Sequence, residues 1–257
     1  MRKLRHAVIV LVLLFLLGPF VIICIAGLSS SETLAFPPPG ISWRWVEAVF
    51  AVESFRASFT LSLILGVGAT LAALVLGIPA AYGLDRYRVP GGGILRNVVT
   101  APIVVPGIIV GLALLRHLLV PLRLPLTLGL FLGHTALLIP YAVRVVSASL
   151  ANLRVDIEEA AILLGASRAR TFFLIVLPNI RAGIVAAFIL GFVTSFNQVS
   201  VSLFLSGPGV TTLPIDMLFY MDFNYDPSVA ALSALLAILS IIVVLAAERF
   251  VGLSRYV

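Results

Sequence analysis

Six apolar runs dominate the sequence, from Ala7 to Leu28, Phe59 to Leu84, Val98 to Leu119, Leu128 to Leu150, Gly183 to Leu205 and Val229 to Ala247. A helix needs about 20 such residues to cross the hydrocarbon core of a bilayer, and each run meets that length. Helices satisfy their own backbone polar groups, which hydrocarbon cannot do for them. The runs therefore predict an all-α membrane protein with six transmembrane helices, organised as a single transmembrane domain over residues 1–257. Composition agrees: with 61% hydrophobic and 11% charged residues, the chain lies far from the balance of a soluble domain.

The first run follows Arg2, Lys3 and Arg5, and a small-residue site near Ala26 leaves cleavage as a signal peptide open. Its length exceeds the roughly 7 to 15 apolar residues of such a peptide, so an uncleaved anchor is the expectation. The single cysteine, Cys24, excludes an intrachain disulfide and paired thiolate ligands.

Orientation follows from the basic residues. With the N-terminus inside, Arg2, Lys3, Arg5, Arg86, Arg88, Arg96, Arg144, Arg154, Arg168, Arg170, Arg181, Arg249 and Arg255 share the cytoplasmic side. Only Arg44, Arg56, Arg116 and Arg123 fall outside. Positive charge is retained in the cytoplasm, so both termini are expected there, in a multi-pass protein of the cytoplasmic (inner) membrane. The formal charge of +6 is accounted for by this bias and by anionic lipid heads, and needs no nucleic acid partner.

Between the first two runs, Phe36-Pro37-Pro38-Pro39-Gly40 and Trp43-Arg44-Trp45 form an external loop. It suits either the membrane surface, where tryptophan concentrates, or contact with an external protein. Pro90-Gly91-Gly92-Gly93 is not followed by the Lys-Ser or Lys-Thr pair of a nucleotide loop, so it reads as a turn. Ala69, Ala73 and Gly77, like Gly107 and Gly111, recur every four residues and predict close helix packing. Pro79, Pro102, Pro106 and Pro140 are expected to break or kink spans.

The connection between the fourth and fifth runs, residues 151–182, is too long for a turn and predicts two short helices. Asp156 is placed to cap the first, with Glu159 in the capping-box position and Glu158 adding favourable charge to its first turn. Ile157, Ala160, Ala161 and Leu164 fall on one apolar face, and Gly165 is suited to end the helix in a left-handed conformation. Ser167 caps the second helix, whose apolar surface holds Phe172, Phe173, Val176 and Leu177 ahead of Pro178. Arg168 and Arg170 oppose the dipole of that helix, which suggests partners outside it: lipid phosphates or an acidic protein surface.

In the fifth run lies a polar row, Thr194, Ser195, Asn197, Gln198, Ser200 and Ser202. Ser195, Gln198 and Ser202 are expected to share a helical face, with Asn197 beside them, lining a watery path or bonding between helices. Tyr141 suits the same path or an anchoring role, and Arg144 lies near enough to the cytoplasmic end of its span to snorkel. His134 has no nearby carboxylate or second histidine in sequence and is expected to be a hydrogen-bonded packing residue.

Glu159-Ala160-Ala161, three residues, Gly165, nine residues, then Ile175-x-Leu177-Pro178 resembles in every fixed position the loop signature of binding-protein-dependent ABC transporter permeases. The resemblance extends over the whole chain. Through Ser206-Gly207-Pro208 and Thr212-Leu213-Pro214 it is similar to the spermidine/putrescine type, in particular the smaller of its two permease subunits. It implies a type I importer bundle with a cytoplasmic coupling helix that docks on a separate ATPase, through Ile157, Glu158, Glu159, Ala160, Ala161, Leu164, Gly165 and Arg168. It also implies a second permease subunit (identical or different), two ATPase subunits and an external solute-binding protein. ATP and Mg belong to the ATPase, leaving this chain without a cofactor and without catalysis.

The implied solute is a polyamine, and external Asp216, Asp222 and Asp226 suit a cation. Many polyamine-type relatives, however, carry an acidic residue at the position of Asn197. Amino-acid-like or phosphonate-like solutes therefore stay open. An intramembrane enzyme would need a nucleophile with its base, or grouped ligands, which His134 alone does not supply. A passive channel or scaffold subunit would leave the loop signature without a role.

Overall fold

In a computed structural model of the protein the described residues are 2–87 and 89–251, with side chains at 2, 3, 7 and 246–251 left aside. Of the basic residues used for orientation, Arg88 and Arg255 lie outside the described residues, as do the side chains of Arg2, Lys3 and Arg249. The described chain is helical: α1 Arg2–Gly27, α2 Arg44–Ala51, α3 Glu53–Arg86, α4 Gly92–Ile103, α5 Gly107–Leu122, α6 Leu126–Ala151, α7 Val155–Leu163, α8 Arg168–Asn179, α9 Arg181–Phe196, α10 Leu213–Phe223 and α11 Ser228–Val251.

Four helices, α1, α3, α6 and α11, are each long and apolar enough to cross a membrane. Counting each of two bent pairs, α4 with α5 at 91° and α8 with α9 at 70°, as one span gives up to six among the described residues. The first bend has a local cause: Pro106 has no N–H to donate and disfavours helical backbone at Val105, so it starts α5 instead of continuing α4. In α8 the ladder widens to a π-turn over Phe172–Val176, with the Leu177 N–H closing onto the Phe172 carbonyl. Pro178 follows, and the direction changes at Ile180 (φ −96°, ψ 8°). Pro79 and Pro140, expected to break or kink their spans, sit inside continuous helices and break neither.

The described residues divide into two compact units. The larger is built on Thr60–Ile215. Its core runs along α3 and α6, from Leu65, Leu130 and Leu205 through Ala69, Ala73 and Leu138 to Val143, Val146, Leu150 and, on α8, Val176. The four-residue spacing of small residues on α3 serves close approach, as predicted: a Cβ on Gly77 would stand 2.7 Å from that of Ala142.

The other unit combines residues up to Phe59 with Asp216–Val243. There Gly27 lets α1 touch the α11 backbone, since a Cβ would lie 2.6 Å from the Ala231 nitrogen. Short α2 is amphipathic, its entry held by the Trp45 indole, which donates to the Ser31 carbonyl at 2.9 Å and lies under the Arg44 guanidinium. Asp216 accepts from Ser58 Oγ at 2.8 Å. Asp226 accepts from Tyr220 Oη and the Ser228 amide, both at 2.9 Å. Burial first, then the Asp226 carboxylate, raise the Tyr220 phenol above its ordinary range. Two of the three external acids proposed as a cation lure are therefore engaged in holding α10 and α11; Asp222 is exposed.

Candidate functional site

The loop over residues 151–182 folds into α7 and α8 as two helices, but α7 starts two residues earlier than expected. Arg154 occupies its N-cap position and no side chain caps it. Asp156 lies in the first turn and pairs with Arg154 (2.5 Å) instead of capping, so no Asp156–Glu159 capping box forms. The far end matches its expectation closely. Gly165 is left-handed (φ +93°), its N–H bonds the Ile162 carbonyl and the Ala166 N–H reaches back to Ala161, closing the helix through the paired bonds of a Schellman stop. Ser167 Oγ accepts from the Arg170 amide at 3.2 Å, capping α8.

Exposure divides the residues of α7 into two groups. Ile157, Glu159, Ala160 and Leu164 face outward, Leu164 at 90% exposure beside Leu163 at 87%, and Ala161 is half-buried. These apolar tips bury nothing of this chain. Glu158 points the opposite way, at 5% exposure. It accepts from Arg86 Nε at 2.7 Å through one oxygen and from Tyr82 Oη at 2.9 Å through the other. The same guanidinium donates through Nη2 to the carbonyls of Leu150 and Leu153 (3.0 and 2.9 Å), at the end of α6. Glu158 was expected to serve the helix terminus and the docking surface. It does lie in the first turn, but its side chain is an inward anchor and not part of an outer surface, tying α7 to α3 and α6 through charge-assisted bonds.

Arg86 and Tyr82 were missed as site residues, although their four-residue spacing on α3 puts them on one face. Nothing local pointed to a partner 72 and 76 residues away. Arg168, assigned partners outside the helix, stacks over the Tyr87 ring with its guanidinium carbon 5.3 Å from the centroid. Tyr82 in turn packs on Phe172, so the first turns of α8 are braced against the end of α3.

The polar row is not one helical face. α9 ends at Phe196, Asn197 to Val201 form turns, and Ser202–Phe204 is a short 3₁₀ turn. Ser195 and Ser202 nevertheless meet, because His134 on α6 reaches both: Nδ1 lies 2.7 Å from Ser195 Oγ and Nε2 2.9 Å from Ser202 Oγ. All three are buried, His134 completely. Asn197 and Ser200 are exposed and Gln198 half-buried, its side-chain oxygen accepting from the Ser200 amide at 3.0 Å. Tyr141 is half-buried on α6 and Arg144 exposed two-thirds of the way along it. Ser195 and Ser202, expected to line a path or to bond between helices, take the second role in this conformation, and the exposed side chains of the row are those of Asn197 and Ser200.

Residues 52–253 match the family described as binding-protein-dependent transport system inner membrane component. The chain is 33% identical to the putrescine transport system permease protein PotI of Escherichia coli (strain K12), covering 90% of this chain and 85% of that one. It is 27% identical to the spermidine/putrescine transport system permease protein PotC of the same strain, over 96% and 93% of the two chains. In fold it is similar to a chain of a bacterial ABC transporter involved in import of the acidic polysaccharide alginate, with TM-score 0.70, 16% identity and coverage of 96% and 95%. With the loop signature closed at Gly165 and four to six spans among its described residues, this chain belongs to the family of binding-protein-dependent transport system inner membrane components and is a permease subunit of an ABC importer.

Proposed function

We propose that this permease passes a small cationic amine of the polyamine class, received from an external solute-binding protein, and that α7 is the helix through which a separate ATPase drives it. One observation carries the mechanical part: Leu163 and Leu164 stand almost fully exposed on a helix fastened from behind by Glu158 and Arg86. Apolar side chains in that position suit a protein groove, and the fastening transmits a push on α7 to the ends of α3 and α6. Ile157, Glu159, Ala160, Ala161 and Leu164 then make the docking surface, Gly165 closes it, and Glu158 and Arg168 hold it. ATP and Mg bind the ATPase pair, and this chain performs no chemistry of its own.

A second permease subunit, identical or different, completes the path opposite the exposed Asn197 and Ser200, with Tyr141 and Gln198 at its margin. Both termini are cytoplasmic, and the single permease unit extends over 1–257. The names of the relatives support the polyamine class. A second reading, an amino-acid-like or phosphonate-like solute, is favoured by one observation: the exposed side chain ending α9 is the neutral amide of Asn197, where a cation path calls for a carboxylate.

Affinity capture from detergent-solubilised membranes, with this chain as bait, tests the assembly. Wild type should recover an ATPase and a second permease, and Gly165→Asp should lose the ATPase alone. Uptake of labelled putrescine by cells expressing the set tests the solute. No transporter-dependent uptake of putrescine, with saturable uptake of a labelled amino acid or phosphonate by the same cells, would replace the polyamine reading with the second.

A further inference from the structure

Around His134 the hydrogen-bond directions can be assigned. Ser202 Oγ donates its single proton to the Gln198 carbonyl at 3.0 Å. It therefore has only lone pairs to offer His134, and the 2.9 Å contact must run from Nε2–H to Ser202 Oγ. Nδ1 is then the unprotonated nitrogen and accepts from the Ser195 hydroxyl at 2.7 Å. One directed chain results, Ser195 to His134 to Ser202 to the Gln198 carbonyl, with each donor matched and the ring neutral. It spans the break in the fifth span, joining the last turn of α9 to the turn that follows.

The same turn is pressed from two sides. A Cβ on Gly111 of α5 would overlap the Val201 carbonyl oxygen, and one on Gly133 of α6 would stand 2.8 Å from Val201 Cγ1. Val201 itself is fully buried. Such a turn has no repeating backbone ladder, so its shape depends on this packing and on the side-chain fastening.

The geometry points to His134 as a positioning residue of the translocation path: its Ser195–His134–Ser202 staple sets the turn that presents Asn197 and Ser200. The inference rests on the permease reading above, and its test does not use the solute. In a Cys24→Ser background, Ser200→Cys is the only thiol of this chain. In membranes containing the full transporter, a hydrophilic thiol reagent is followed by mass spectrometry of this chain's peptide.

His134→Leu and Ser202→Ala should each speed labelling of Ser200→Cys about tenfold, as expected when a buried polar group loses its partner. His134→Gln, which keeps a donor and an acceptor, should restore much of the wild-type rate. A second reporter at fully buried Ala81→Cys should stay unlabelled in all of them, which separates a local role from general loosening. If His134→Leu does not accumulate, Ser202→Ala and Ser195→Ala supply the result, since each removes one hydroxyl. An unchanged Ser200→Cys rate in an assembled transporter, or equal gains at both reporters, would overturn the proposal. Failure of the permease reading would instead show as wild-type chain that captures no ATPase.

Discussion

At Gly165 a single backbone angle decides the shape of the loop. A φ of +93° costs a residue with a Cβ about 1 to 2 kcal/mol, and aspartate adds a charge beside the exposed leucines. Gly165→Asp should leave the protein in the membrane at normal level, yet abolish uptake and ATPase capture; normal uptake would count against the coupling role. Gly77 is a steric case. Gly77→Val puts carbon where Ala142 already stands and should destabilise the chain by about 1 to 3 kcal/mol, seen as a lower thermal midpoint in detergent. Both glycines are legible in the sequence, one from its place in a spaced signature and one from its period. Glu158 is not, because a carboxylate in a helix's first turn already has a sufficient local reason to be there.

Among the elements, α7 has two faces with separable roles. Removing one partner of a buried ion pair leaves the other charge uncompensated, at about 3 to 5 kcal/mol. Glu158→Ala should thus lower the thermal midpoint and weaken the link between ATP hydrolysis and uptake. Leu163→Ser with Leu164→Ser should do the reverse, leaving the midpoint unchanged, since neither side chain is buried in this chain, while ATPase capture falls. Equal thermal shifts in the two variants would mean that the faces are not distinct. The fifth span shows where element boundaries escape a linear reading. The fifth run reads as continuing past Phe196 to Leu205, but the ladder stops at Phe196 and the following turn is fixed by His134 and the glycines of α5 and α6.

For the whole molecule, topology is the testable property. With both termini inside, Gly40→Cys in the external loop should react with an impermeant thiol reagent in intact cells, and Ala160→Cys on α7 only after the membrane is opened. The inverse pattern would reverse the orientation and remove α7 from any cytoplasmic ATPase. The bias of basic residues and the loop signature are independent features of the sequence, and both predict α7 on the cytoplasmic side.

Membership, the apolar runs and the stop of α7 were all determined by the sequence, because each depends on neighbours along the chain. Run length is matched against bilayer thickness, and a left-handed stop needs only a glycine at the end of an apolar turn. Tertiary structure alone decided that Glu158 faces inward onto Arg86, that α9 ends at Phe196, and that His134 joins Ser195 to Ser202. These contacts unite residues 61 to 76 positions apart, and a polar side chain in hydrocarbon takes whichever partner the packing of helices brings within reach.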